Sequence, residues 1–110
     1  MKLKAKEVTV GYLYLTTAKQ YRAVLAMQGE FLIYAPSSEG TPPLNQNPLI
    51  LPFENQPFKK CQIVTFAKKD YQVFDFNGVA AIKHKLTEIQ LAEAIAQCNA
   101  KQAIAALLAE

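Results

Sequence analysis

Apolar and polar positions alternate through the first third of the chain, a period that predicts strands. Over residues 11–16, Tyr12 and Tyr14 fall on one face, Leu13 and Leu15 on the other. Residues 17–19 form a short polar turn. Residues 21–27 read as a second strand, with Arg22, Val24 and Ala26 opposite Tyr21, Ala23, Leu25 and Met27. Gln28 and Gly29 supply the next turn, the glycine tolerating positive φ, and residues 30–34 make a third strand. Both faces of strands two and three are largely apolar. The sheet therefore either curls towards a barrel or carries helices on its other side.

The pattern then breaks. All six prolines (Pro36, Pro42, Pro43, Pro48, Pro52 and Pro57) fall between residues 36 and 58. Proline lacks the N–H that a ladder needs, so this segment predicts a long loop or an edge segment. Its centre, Leu49, Ile50, Leu51 and Phe53, is too apolar for a solvated linker and is expected to dock on the domain or on a partner. Alternation resumes over residues 61–66 and 71–76, with 67–70 as a turn of hairpin length. Asn77 and Gly78 suit a type I′ turn into a strand over 79–83.

From residue 86 the period is helical. Thr87 and Gln90 have the spacing of a capping box, and Leu86 and Leu91 that of a hydrophobic staple. Leu91, Ile95 and Cys98 share a helical face. On one straight helix Ile104, Leu107 and Leu108 would lie roughly opposite. Asn99 followed by Gln102 offers a second cap, so two helices breaking near Asn99 are expected. A single long helix bridging two subunits is the alternative. Leu49, Ile50, Leu51, Phe53, Ile104, Leu107 and Leu108 are thus the candidate interface of a homodimer, the alternative being that the two patches cover each other within one chain.

The expected fold is α+β. An antiparallel, strongly curled sheet of five or six strands is followed by a C-terminal helix or helix pair. Leu13, Leu15, Leu25, Phe31, Ile33, Ile63, Val73, Leu91 and Ile95 are the expected core. One domain spans 1–110: strands over 1–35, the proline-rich loop over 36–58, strands over 59–85 and helix over 86–110.

Composition narrows the chemistry. With 110 residues there is room for one core. An apolar fraction of 51% with 19% charged residues excludes a wholly disordered chain. Two cysteines exclude a disulfide scaffold, and with a single histidine they argue against a dedicated zinc site. No apolar run follows the basic start in the manner of a signal peptide, and charges interrupt the Ala-rich C-terminus. A soluble, cytoplasmic protein without membrane association is expected. The four glycines stand apart, so there is no phosphate loop, and no cofactor is indicated.

Charge is unevenly spread. Residues 1–85 hold 11 basic and 6 acidic side chains, a balance of +5, whereas residues 86–110 hold 1 and 3, a balance of −2. The cations cluster at Lys2/Lys4/Lys6, Lys59/Lys60, Lys68/Lys69 and Lys83/Lys85. A basic sheet bearing tyrosines suits single-stranded nucleic acid, cations tracking phosphates and rings stacking on bases. Tyr12, Tyr14, Lys19, Arg22, Lys68, Lys69 and Tyr71 are the candidate contacts. The competing reading is that the lysines protect strand edges. A non-enzymatic binding module for nucleic acid or for a protein or peptide is the expected function. The alternative is a small enzyme or small-molecule binder using Cys61, His84 or Cys98. A Cys98 nucleophile would need His84 beside it; otherwise His84 is expected at the surface.

The block of Gly11, Tyr12, Leu13 and Tyr14, then residues 21–25, then Phe31, Leu32, Ile33 and Tyr34 resembles the opening strands of small SH3-like barrels. The resemblance covers about a quarter of the chain. It implies a curled meander with a longer loop before the remaining strands, and peptide or nucleic-acid binding by analogy.

Overall fold

The computed structural model describes residues 2–37, 58–76 and 78–109. Strands β1 (Tyr12–Leu15), β2 (Tyr21–Gln28) and β3 (Phe31–Ser37) form the antiparallel meander that the alternation predicts. Four short strands follow: β4 (Lys59–Gln62), β5 (Phe74–Phe76), β6 (Val79–Ala81) and β7 (Lys83–Lys85). The main sheet has the order β4-β3-β2-β1-β7, and β5 and β6 pair as a separate hairpin. Among the described residues, three helices, α1 (Ile63–Lys68), α2 (Glu88–Gln97) and α3 (Lys101–Leu108), and a 3-10 turn at Ala5–Glu7 complete the fold. The molecule is α+β. No helix among the described residues is long and apolar enough to cross a membrane.

The five strands lie in an open row ending at β4 and β7, and no sheet among the described residues closes or curls strongly. The expected barrel is thus not confirmed, and helices cover both faces of the sheet. On one face Leu13, Leu15, Ala23, Leu25 and Ile33 pack with Phe74, Phe76, Leu86, Ala94, Cys98 and Leu107. On the other, Tyr14, Val24, Leu32 and Tyr34 pack with Leu3, Val8, Phe66, Ala67 and Tyr71. Two covered faces explain why β2 and β3 read as near-continuous apolar runs.

Several expectations shift in detail. The β2–β3 register slips between Val24 and Ala26. This bulge puts Ala26 with Leu25 on the helix-pair face and swings Met27 to the other, reversing the sides assigned to both. The turn is made by Gly29 and Glu30, with Gly29 at φ 61. Pro36 and Ser37 belong to β3 rather than to the loop. β4 pairs only as far as Tyr34, so Pro36 sits where that side of β3 has no described strand. The expected interface residues Leu49, Ile50, Leu51 and Phe53 lie outside the described residues.

The expected strand over 61–66 ends at Gln62, and α1 begins at once. Phe66 and Ala67 are buried and Ile63 half-buried, whereas Val64 and Thr65 face outward. That is helical spacing of one apolar face. Burying Phe66 against the sheet overrides the strand preference of Ile63, Val64 and Thr65. The expected strand over 71–76 shortens to β5, with Tyr71 bridged to Thr16. Val73 lies between bridge and strand and is 53% exposed; Phe31, at the turn, is 37% exposed. Neither belongs to the core. Phe76 pairs with Val79, and Gly78 has φ 80, as a tight hairpin requires; Asn77 lies outside the described residues.

The helix pair breaks where expected, by a different device. Asn99 has φ 57 and is the residue past the end of α2, not the N-cap of α3. Its N–H donates to the Ala96 carbonyl and that of Ala100 to the Ile95 carbonyl, at 3.2 and 3.0 Å. This is a Schellman closure with Asn in the left-handed position. The turn redirects α3, so both apolar stripes meet the same core. Leu107 is 1% exposed inside the chain's own core, Ile104 packs against it, and Leu108 is exposed. Leu107 is therefore removed from the candidate interface. The capping box forms as predicted: Gln90 N–H donates to Thr87 Oγ1 at 3.1 Å, and Thr87 N–H to Gln90 Oε1 at 2.9 Å.

Candidate functional site

The sheet face opposite α2 and α3 is covered by the N-terminal segment and α1, two elements far apart in sequence. Leu3 N–H donates to the Ala67 carbonyl at 3.1 Å. This bond brings Lys2 and Lys4 alongside Lys68 and Lys69. The β1–β2 turn joins them: Thr17 N–H donates to the Asp70 carbonyl at 3.0 Å, and Thr17 Oγ1 to Asp70 Oδ2 at 3.5 Å. Lys19 therefore neighbours the end of α1. Lys2, Lys4, Lys6, Lys19, Lys68 and Lys69 are all exposed on this layer, against the carboxylates Glu7, Glu30 and Asp70. The opposite layer exposes Glu88 and Glu93 against Lys101. The two outer layers thus carry opposite charge.

Beneath the lysines lies an aromatic box. Tyr14, Tyr34, Phe66 and Tyr71 stack with ring centroids 5.3–5.8 Å apart. The Arg22 guanidinium lies 4.7 Å from the Tyr34 ring centre and 5.5 Å from that of Phe66. Its Nε donates to Gln20 Oε1 at 2.6 Å and its Nη1 to the Tyr71 hydroxyl at 3.3 Å. The Tyr71 hydroxyl in turn donates to the Phe66 carbonyl at 2.7 Å. The Tyr14 hydroxyl accepts from Thr9 N–H at 2.9 Å and donates to the Glu7 carbonyl at 3.2 Å. Lys83 Nζ donates to that same carbonyl at 2.8 Å and to Thr9 Oγ1 at 3.0 Å, and stands 5.0 Å from the Tyr12 ring centre.

The sequence-predicted site residues therefore divide in two. Lys19, Lys68 and Lys69 come together at the surface. Tyr14, 0% exposed, and Tyr71, 1% exposed, are buried and offer no face to a base. Arg22 is half-buried and engaged by the box, and Tyr12 is half-buried beside Lys83. The buried tyrosines hold the lysine-bearing segments: Tyr14 anchors the N-terminal segment, and Tyr71 anchors the end of α1. Burial pushes both phenols above their ordinary value. It does the same for Tyr34, against the pull of Arg22. Lys2 and Lys4 complete the layer. Their clustering was visible in the sequence, but their proximity to Lys68 depends on a contact across 64 positions between Leu3 and Ala67.

The thiol and imidazole groups do not converge. His84 is buried rather than at the surface, its Nε2 donating to the Phe74 carbonyl at 2.7 Å and its ring packed on Phe74 and Phe76. Cys98 Sγ turns to the Ile95 carbonyl at 3.8 Å, so each group is engaged with a main-chain carbonyl. Cys61 is half-buried on the far face of the sheet. Burial raises the pKa of both thiols and so disfavours the thiolate that nucleophilic attack needs. A cleft of about 530 Å³ opens between the 3-10 turn, the β2–β3 turn and the start of α1. Lys6, Glu30 and Gln62 line it, together with small and apolar neighbours, and none of Cys61, His84 and Cys98 does. Among the described residues no group of three His, Cys, Asp or Glu side chains is placed to hold a metal ion. Comparison with family models, curated proteins and solved structures gives no match.

Proposed function

We propose that this chain is a non-enzymatic binding module that holds nucleic acid through the lysine layer formed by its N-terminal segment, its β1–β2 turn and the end of α1. The observation that carries the reading is the Leu3 to Ala67 hydrogen bond, which joins two basic clusters from distant parts of the sequence. An excess of cations on one face, with a small excess of acids on the other, orients the molecule towards a polyanion and releases counterions on contact. Burial disfavours the thiolate form of both cysteines, which favours binding over thiol-based catalysis.

A titration with labelled DNA and RNA at two salt concentrations tests it. Binding at low salt should weaken steeply as salt is added, in proportion to the phosphates neutralised. Replacing Lys2, Lys4, Lys68 and Lys69 together with Gln should abolish it while leaving the circular dichroism spectrum unchanged. No binding at low salt, or binding indifferent to these four lysines, rejects the proposal. Binding confined to a protein or peptide would retain the module with a different partner.

A further inference from the structure

We infer that the nucleic acid this layer recognises is a duplex, read through its phosphates, and not a single strand held by base stacking. The inference rests on the nucleic-acid reading above and specifies its ligand. Single strands are gripped by pairing cations with exposed aromatic platforms, on which successive bases stack. Here the rings are turned inward. Tyr14, Tyr34, Phe66 and Tyr71 form the box beneath the lysines, and each is buried. Each has other work: the Tyr14 and Tyr71 hydroxyls hold backbone groups, and Tyr34 and Phe66 lie against the Arg22 guanidinium. Tyr12, the remaining tyrosine of β1, is half-buried with the Lys83 ammonium set against its ring.

What the layer exposes is therefore cationic without being aromatic. Lys2, Lys4, Lys6, Lys19, Lys68 and Lys69 sit on three segments tied to one another by backbone hydrogen bonds. Such a surface gains nothing from unstacked bases. It gains most where phosphates are densest, and a duplex carries one charge per roughly 1.7 Å of axis with its bases already stacked. Contacts made to phosphates alone carry no sequence information, so this contact is independent of sequence.

The magnitude follows from counterion release. The salt slope is about −0.9 per phosphate contact on duplex DNA and about −0.7 on a single strand. For five or six contacts the difference in slope is roughly one, which, taking the two affinities as equal at about 1 M salt, corresponds to roughly tenfold tighter binding of the duplex at about 0.1 M.

The test is fluorescence anisotropy with a short mixed-sequence DNA duplex and each of its separated strands, using the full chain and a Tyr12→Leu variant. The inference expects the duplex to bind about tenfold more tightly than either strand at equal nucleotide concentration. It expects Tyr12→Leu to leave both affinities within about twofold, and a shuffled duplex to bind equally. Strands that bind as well as or better than the duplex overturn it. So does a selective loss of strand binding in Tyr12→Leu. Either outcome leaves the nucleic-acid reading standing, whereas no binding of duplex or strand at low salt removes both.

Discussion

Arg22 shows how a single residue on a mostly apolar strand can be read wrongly when its neighbours are unknown. It sits on β2 among Ala23, Val24 and Leu25, where a cation needs compensation. The compensation is two ring faces and two hydrogen bonds. Arg22→Ala should therefore cost about 2–3 kcal/mol in urea unfolding, through the lost cation–π contact, hydrogen bonds and stem packing. A change below about 0.5 kcal/mol would mean that the box does not depend on its cation. The tyrosines carry a second prediction. Burial raises the pKa of Tyr14, Tyr21, Tyr34 and Tyr71 above the ordinary 10.0, and of Cys61 and Cys98 above 9.0. In the unfolded chain these groups lose their protons first, so above pH 9 the unfolded state binds fewer protons and stability falls. Unfolding midpoints should be level in this respect below about pH 8, begin to drop through the thiols near pH 9 and drop further through the tyrosines near pH 10, the latter fall less steep in Tyr71→Phe. A midpoint that rises between pH 9 and 11 would contradict the sign. The strand alternation did put Tyr12 and Tyr14 on one face of β1. It could not tell that this face is buried, because a tyrosine suits a half-wet surface and an aromatic core equally.

At the scale of elements, two left-handed residues make the folding signals testable. Lys19, at φ 68 in the β1–β2 turn, and Asn99, at φ 57 between α2 and α3, occupy a region that glycine enters without steric cost. Lys19→Gly should stabilise the chain by about 0.5–1 kcal/mol although it removes a surface cation, and Asn99→Gly by less, since Asn already tolerates this geometry. Thermal melts of both variants check this, and destabilisation by either would contradict the assigned backbone. Capping chemistry made the start of α2 readable, because Thr87 and Gln90 satisfy each other locally. Gly29 and Gly78 marked turns for the same reason. α1 was not readable by alternation. Its residues 63–65 are β-branched or strand-prone, and only the burial of Phe66 and Ala67 beneath the N-terminal segment selects the helix. The lysine layer was legible in part on the same grounds: its members are clusters in sequence, while their union needs tertiary contacts.

Across the whole molecule, one sheet is shared by two cores, and the two outer layers differ in charge. The helix pair belongs to stability: Leu107 sits in the core with Leu86, Ala94 and Cys98. Leu107→Glu should unfold the chain, leaving a buried unpaired carboxylate and a lost leucine, and its circular dichroism should lose the helical signal. A folded variant with a smaller solution mass would instead return Leu107 to an interface. The layer of the N-terminal segment and α1 is the one proposed to bind, so the two layers should respond differently to a ligand. The most direct measurement is a nitrogen-15 correlation spectrum of the labelled chain titrated with a DNA duplex at low salt. The account predicts shifted or broadened amides at residues 2–7, 17–19 and 66–70, reversed by added salt, with residues 88–108 unmoved. Perturbation concentrated on α2 and α3, or an unchanged spectrum at saturating duplex, would contradict it.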